Sequence, residues 1–344
     1  MKRVLVIILL MVMFCAAVPG SLAEQSNGAG SPLPVKVLIL PKFEVGELAG
    51  DFPGEAQYFY EAYLADAEAY DVPYGAPGAK LYYKDGVALC VLGMGKVNAA
   101  LTTMAVLSDA RFDYSQAYIL STGCAGSAAE TTVMGDVFLI TAAVDYDLGH
   151  HADGRELPDP EGISWFHDAD FDDAAVVILD RELAEKAYAL VKDTHLETTD
   201  RTRNYMHHAF DGAAWAVRDP LVLTGTTVTG DNYWKGPHGH ANALLMAETY
   251  ACPDPYVTTE MEDVAVARAA QRMGLLDRLI VIRGSVNMDV FMLGVTPENL
   301  WGHAEAMTLA DEDSIEAADI FAVSMKNNFD VGRVVIDSIL SGEF

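Results

Sequence analysis

Short apolar runs, each followed by a turn rich in glycine and then by a helical stretch, constrain this chain more than any other feature. The first is Val35-Lys36-Val37-Leu38-Ile39-Leu40, followed by a helical segment expected from Gly54 to Ala69. Leu81-Tyr82-Tyr83 and Val87 to Leu92 flank Lys84-Asp85-Gly86, the pattern of a hairpin whose second arm is buried. Helix is expected over Val97 to Leu107, strand over Ala117 to Leu120 and Val137 to Ala143, helix over Arg181 to Lys192 and strand over Leu221 to Thr229. Met261 to Met273 reads as helix, Leu279 to Arg283 as strand, and Asp313 to Leu340 as one or two closing helices. Mostly apolar strands alternating with helices specify an α/β fold around a parallel or mixed sheet.

The N-terminus reads differently. Lys2 and Arg3 precede an unbroken apolar run from Val4 to Val18, and Ser21-Leu22-Ala23 has the small-x-small form of a leader-cleavage site. The run is shorter than the roughly 20 residues of a spanning helix. Phe14 before Cys15 opposes lipoprotein processing, which wants a small residue there. Residues 1–23 are therefore expected to be a signal peptide, 24–34 a flexible lead-in rich in Gly, Ser, Asn and Pro, and 35–344 one domain. An exported protein, periplasmic or extracellular and without a membrane span of its own, is the expectation. The formal net charge of −28 opposes non-specific binding to nucleic acid or anionic lipid.

In such sheets ligands gather at the carboxyl ends of strands. Five strand ends are distinctive here: Gly93-Met94-Gly95-Lys96-Val97-Asn98, Ser121-Thr122-Gly123-Cys124-Ala125-Gly126, Thr229-Gly230-Asp231-Asn232-Tyr233-Trp234, Glu260-Met261-Glu262-Asp263 and Arg283-Gly284-Ser285-Val286-Asn287. Glycines admit a ligand close to the backbone, and a carboxylate such as Glu260 or Glu262 can accept two hydrogen bonds from a diol. His150-His151, His207-His208 and His238-x-His240 lack an established metal-ligand spacing, so no metal is expected. Cys90, Cys124 and Cys252 show no Cys-x-x-Cys spacing, and sequence alone pairs none of them.

Together these segments resemble the nucleoside phosphorylase and nucleosidase superfamily, and within it the purine nucleoside permease group, whose members carry similar Phe-Glu, Gly-Asp-x-Tyr-Trp and Met-Glu-Asp segments. The resemblance runs from about Val35 to Leu340. It implies a three-layer α/β/α domain with a twisted mixed central sheet and a purine nucleoside site, often completed by a neighbouring subunit. By that resemblance Glu262, with Met261 and Glu260 beside it, holds the ribose hydroxyls, and Tyr233 stacks on the base with Trp234 as a rival and Asp231 nearby. Asn287 contacts the purine N7, with Asp289 as a substitute acid, and Glu44 activates water. Thr122, Gly123 and Ala125 face the attacking water or an anion. Asn287 can donate a hydrogen bond but cannot protonate N7.

One phosphorylase class has an arginine before the glycine-rich loop, where this chain has Leu120-Ser121; Lys42, Lys96 and Arg283 are the cations left to meet phosphate as co-substrate. Phosphorolysis, hydrolysis and non-catalytic nucleoside capture for a separate membrane transporter all stay open. No other cofactor is expected. A homo-oligomer is.

Overall fold

A computed structural model describes residues 31–128, 130–157, 163–200, 202, 203, 206, 218–291 and 312–344. The expected leader, most of the lead-in and the His207-His208 pair fall outside the described residues. Among the described residues, no helix is long and apolar enough to cross a membrane.

The centre is a ten-stranded mixed sheet. In chain order its strands are β1 (Val37–Leu40), β2 (Glu68–Asp71), β3 (Lys80–Lys84), β4 (Val87–Cys90), β5 (Tyr118–Ser127), β6 (Val137–Asp145), β7 (Val176–Ile178), β8 (Val222–Thr229), β9 (Tyr256–Glu260) and β10 (Leu279–Met288). All four residues of β1 are buried, as a strand flanked on both edges and covered on both faces must be. The sheet runs β7-β6-β8-β9-β5-β1-β4-β3-β2, and β10 lies against both β5 and β6. Strands β5, β10, β6, β8 and β9 therefore close on themselves into a ring. The ring closes through two antiparallel joints, β9 with β5 and β10 with β6, and its other pairings are parallel.

Helices cover both faces. On one face α2 (Lys96–Leu107) and, later in the chain, α5 (Asp263–Arg272) bury Ala99, Val106, Val264 and Val266 with Leu38, Ala88 and Ile119 of the sheet. On the other, α1 (Gln57–Tyr63), α3 (Arg181–Val191) and α6 (Glu312–Ser341) bury Phe59, Leu183, Phe329 and Val335 with Val37, Ile39 and Leu139. This is the three-layer α/β/α arrangement. A third cluster joins Trp165, Tyr146 and Trp234 to α4 (Pro237–Thr249).

Local chemistry accounts for the element ends. Asp180 caps α3 by accepting the Leu183 N–H at 2.8 Å. The β3–β4 hairpin turns on Asp85 and Gly86, both with positive φ, the conformation a two-residue hairpin requires.

Several elements depart from the sequence expectation. The helix expected to Ala69 ends at Tyr63; Asp66 is left-handed, and Glu68–Asp71 pairs with β3 as an edge strand. Strand β5 continues seven residues past Leu120, through its glycines, to Ser127. Strand β10 likewise runs past Arg283 to Met288. Helix α4 and strand β9 were not expected as elements.

Candidate functional site

The five distinctive strand ends converge on one cavity of about 230 Å3. Lys42, Phe43 and Glu55 line it from the segment after β1, and Met94 from the turn after β4. Cys124, Ala125 and Gly126 come from β5, and Asn232 and Tyr233 from the loop after β8. Thr259, Glu260, Met261 and Glu262 come from the end of β9, and Arg283, Val286 and Asn287 from β10.

A group of buried charges forms one wall of the cavity. Arg283, fully buried, donates from Nε to Asp263 Oδ2 (2.7 Å) and from Nη1 to the Cys124 carbonyl (2.9 Å). Its Nη2 meets Glu260 Oε2 (2.9 Å) and Glu262 Oε2 (3.3 Å). Buried Lys42 donates from Nζ to Ser121 Oγ (2.6 Å) and to the carbonyls of Leu40 (2.9 Å) and Thr122 (3.2 Å), and it lies 3.6 Å from Asp263. Each charge is compensated, as burial demands. Among the described residues the carboxylates still outnumber the cations, with Glu55, Glu260, Glu262 and Asp263 against Lys42 and Arg283.

These neighbours shift the protonation equilibria. Burial, reinforced by the adjacent Asp263 and Glu262 charges, pushes Glu260 up to about 7 despite Arg283. Burial also raises Glu262. Asp263 is held low because Arg283 and Lys42 outweigh its desolvation. Glu260 is further fixed by the N–H groups of Glu262 (2.6 Å) and Asp263 (2.7 Å), so it caps the start of α5. Thr229 donates to its other oxygen. Glu262 accepts the Gly95 N–H at 2.9 Å, which ties the β4 turn to the same wall.

Of the residues singled out in the sequence, Glu260, Met261, Glu262, Tyr233, Ala125 and Asn287 line the cavity. Tyr233 is 65% exposed and presents its ring at the opening. The others lie elsewhere, each for a visible reason. Glu44 does not reach the cavity. Its carboxylate accepts the N–H groups of Val45 (2.8 Å), Gly54, Ala56 (2.8 Å) and Gln57 (2.7 Å), and so caps α1. Trp234 is buried, stacked on Tyr146 at a ring separation of 5.3 Å, and not available to a base. Asp231 turns away to accept the Lys96 N–H at 2.7 Å. Lys96 itself pairs with Asp145 (2.6 Å) and Asp147 (2.8 Å). Thr122 spends its hydroxyl on Asn328, at 2.6 Å, behind the sheet. Asp289 is enclosed by His240 and Tyr256. Gly123 lies beneath the Glu55 carboxylate, where a Cβ would come within 2.5 Å of it.

Glu55 was missed. Its Oε2 accepts the N–H groups of Lys42 (2.7 Å) and Phe43 (3.3 Å), its Oε1 accepts that of Cys124 (2.8 Å), and it lines the cavity. The only sequence signal was an acidic residue between Gly54 and Ala56 at a helix start. The side chains that meet here are those that can hold a polar, uncharged ligand bearing a diol and a flat ring: carboxylates, an amide and an open aromatic face.

Residues 34–343 match the family model described as purine nucleoside permease. A Schizosaccharomyces pombe protein described as a probable purine nucleoside permease is 28% identical over 220 residues, which is 57% of this chain and 63% of the relative. The chain thus spans under two thirds of that relative's length. A Geobacillus 5′-methylthioadenosine/S-adenosylhomocysteine nucleosidase is 36% identical over 151 residues, 44% of this chain and 49% of the relative. Among solved structures, the 5′-methylthioadenosine/S-adenosylhomocysteine nucleosidase of Neisseria meningitidis in complex with methylthio-immucillin-A superposes with a TM-score of 0.52 at 18% identity. That superposition covers 88% of this chain and 99% of the other, and it establishes the shared fold.

Proposed function

The chain belongs to the purine nucleoside permease family, and on that premise we propose that it binds a purine nucleoside in this cavity and hydrolyses its N-glycosidic bond. The observation that carries the choice of hydrolysis is the charge of the site. Neither cation at the cavity is spare: Arg283 meets three carboxylates, and Lys42 is occupied by Asp263, Ser121 and two carbonyls. Even with Glu260 protonated, the remaining carboxylates outnumber Lys42 and Arg283. A phosphate dianion would enter a negative, low-dielectric pocket, whereas water enters at no electrostatic cost.

In this reading Glu262 accepts hydrogen bonds from the ribose hydroxyls, Met261 packs on the sugar, and the base stacks on Tyr233. Glu55, held by its N–H groups with the carboxylate at the cavity, takes a proton from water as the water oxygen bonds to C1′. The bond from C1′ to the purine nitrogen breaks, and its electron pair leaves with the base. Asn287 donates to the purine N7 and steadies that charge, and the base takes its proton from solvent. The products are the free base and ribose. The positive N-terminal pair, the apolar run and Ser21-Leu22-Ala23 support export before folding.

The test is to incubate the full protein with inosine or adenosine, with and without phosphate, and to assay free base. Release without phosphate, unchanged by its addition, is expected. Release only with phosphate overturns hydrolysis, and saturable binding without release leaves a nucleoside receptor.

A further inference from the structure

Asp289 is fully buried just beyond the cavity, and four walls of the site meet on it. Its N–H donates to the Ser127 carbonyl (3.0 Å) at the end of β5, the strand that contributes Cys124, Ala125 and Gly126. Its own carbonyl accepts the Gly236 N–H (2.7 Å), at the end of the loop that carries Asn232 and Tyr233. Its Oδ2 accepts from the Tyr256 hydroxyl (2.7 Å), at the start of β9, and lies 2.6 Å from His240 Nδ1 in α4. Asn287 stands two residues earlier in the chain. His240 is in turn 2.8 Å from Glu130 through Nε2, so its ring lies between two carboxylates.

We propose that Asp289 is a positioning residue for nucleoside binding: with His240 and Tyr256 it fixes the loop bearing Tyr233 relative to Asn287, so that a purine meets ring and amide together. The proposal rests on the nucleoside reading of the cavity and extends it. A buried carboxylate is costly, and Asp289 Oδ1 has no hydrogen-bond partner among the described residues, so a well-packed apolar side chain would stabilise this spot better. What the carboxylate adds is direction, since its contacts with Tyr256 and His240 are short and reach two different elements. Among the described residues the charged and titratable groups facing His240 are Asp289, Glu130 and Tyr256, and Lys235 is close enough to feel the Asp289 charge. Burial lowers the imidazole's proton affinity, but the two carboxylates together raise it above the ordinary value. The ion-paired clasp is therefore complete below that raised value and is lost as pH climbs through it.

The test uses the full chain with Asp289→Asn, which keeps the shape and removes the charge, and Tyr256→Phe. Hydrogen exchange read by mass spectrometry without any nucleoside should accelerate about tenfold over residues 230–241 in both variants, the scale of one charge-assisted hydrogen bond. Residues 37–40 should not change. Inosine affinity should weaken about tenfold; the wild type should lose affinity as pH climbs through the His240 titration, and Asp289→Asn should not. Folded variants with wild-type exchange over 230–241 and wild-type inosine affinity overturn the proposal. If Asp289→Asn does not fold, Tyr256→Phe decides the question. A wild type that binds no nucleoside overturns the functional reading instead, and the exchange arm still judges the clasp.

Discussion

The two halves of the sheet are built for different ends. In the open half, β1, β4, β3 and β2 lie side by side, and the buried residues are apolar, Leu38, Ile39, Leu81, Leu89 and Cys90 among them. In the closed half, β5, β10, β6, β8 and β9 form the ring; Arg283, Glu260 and Glu262 are buried in the wall of its cavity and Asp263 lies behind them. Closing the ring brings strand ends together from several directions, and charges converge only where that happens. The strands of the open half contribute apolar burial, while the segments that follow them carry Lys42, Glu55 and Met94 to the cavity wall. The closed half concentrates ionised groups whose desolvation the rest of the fold has to offset.

The sharpest way to break this contrast is Arg283→Met. It leaves Glu260, Glu262 and Asp263 facing each other with Lys42 as the one cation at the cavity among the described residues, and a loss of roughly 3–5 kcal/mol is expected in chemical denaturation. Near-wild-type stability would show that the carboxylates compensate among themselves by taking up protons. Glu55→Gln keeps the size of the side chain while removing the base; kcat for base release per folded molecule should fall by about 10²–10⁴, with about 1–3 kcal/mol of stability lost because the new NH2 must face a backbone N–H that the carboxylate accepted. An unchanged kcat would remove Glu55 from the mechanism.

In the open half, Leu89→Ala should cost about 2–5 kcal/mol of stability and leave kcat per folded molecule unaltered. A fall in kcat would mean the halves are coupled. A smaller effect separates them by pH. Glu260 titrates higher in the fold, at about 7, than its ordinary 4.5. It therefore takes up a proton on folding between those values, and that contribution is full below 4.5 and lost as pH rises through 7. The wild-type melting temperature should climb between pH 8 and pH 5 by more than that of Glu260→Gln. Equal slopes would place the proton elsewhere. Smallest is Gly86→Ala, at φ 88° in the hairpin turn, with a cost of about 1 kcal/mol.

Much of this contrast could be read from the residues. The apolar runs and the Asp85-Gly86 turn marked the open half because there local propensity and tertiary role agree. The five strand ends marked the cavity because glycines and acidic residues in such places serve few other purposes. The failures around the cavity share a cause, which is polar residues spent inside the fold, whereas the exposed edge strand Glu68–Asp71 was hidden by its helix-like composition. Strand β9 reads Tyr-Val-Thr-Thr-Glu, yet every residue is buried, and Glu260 is fixed there by Thr229, Arg283 and the start of α5. Helix α4 hides because Pro237, Gly239 and His240 lower its helical signal; Pro237 is tolerated at the first turn, and at position 239 a Cβ would strike Trp234. Glu44 and Glu55 are eleven residues apart, both accept backbone N–H groups, and only the folded loop distinguishes the cap of α1 from the cavity wall.

Closure of the ring also bears on how such a chain behaves when crowded. Every ring strand has a neighbour on each side, so none offers an unpaired ladder to another molecule. The sheet's termini are the two strands β7, three residues long, and β2, four residues long with Glu68, Asp71 and the Lys80 partner of Asp71 along it. Short edges, in β2 also charged, are poor templates for intermolecular pairing. Fibril-like association of the native state should therefore be slow, and it should begin with opening of the ring rather than with growth from either end of the sheet.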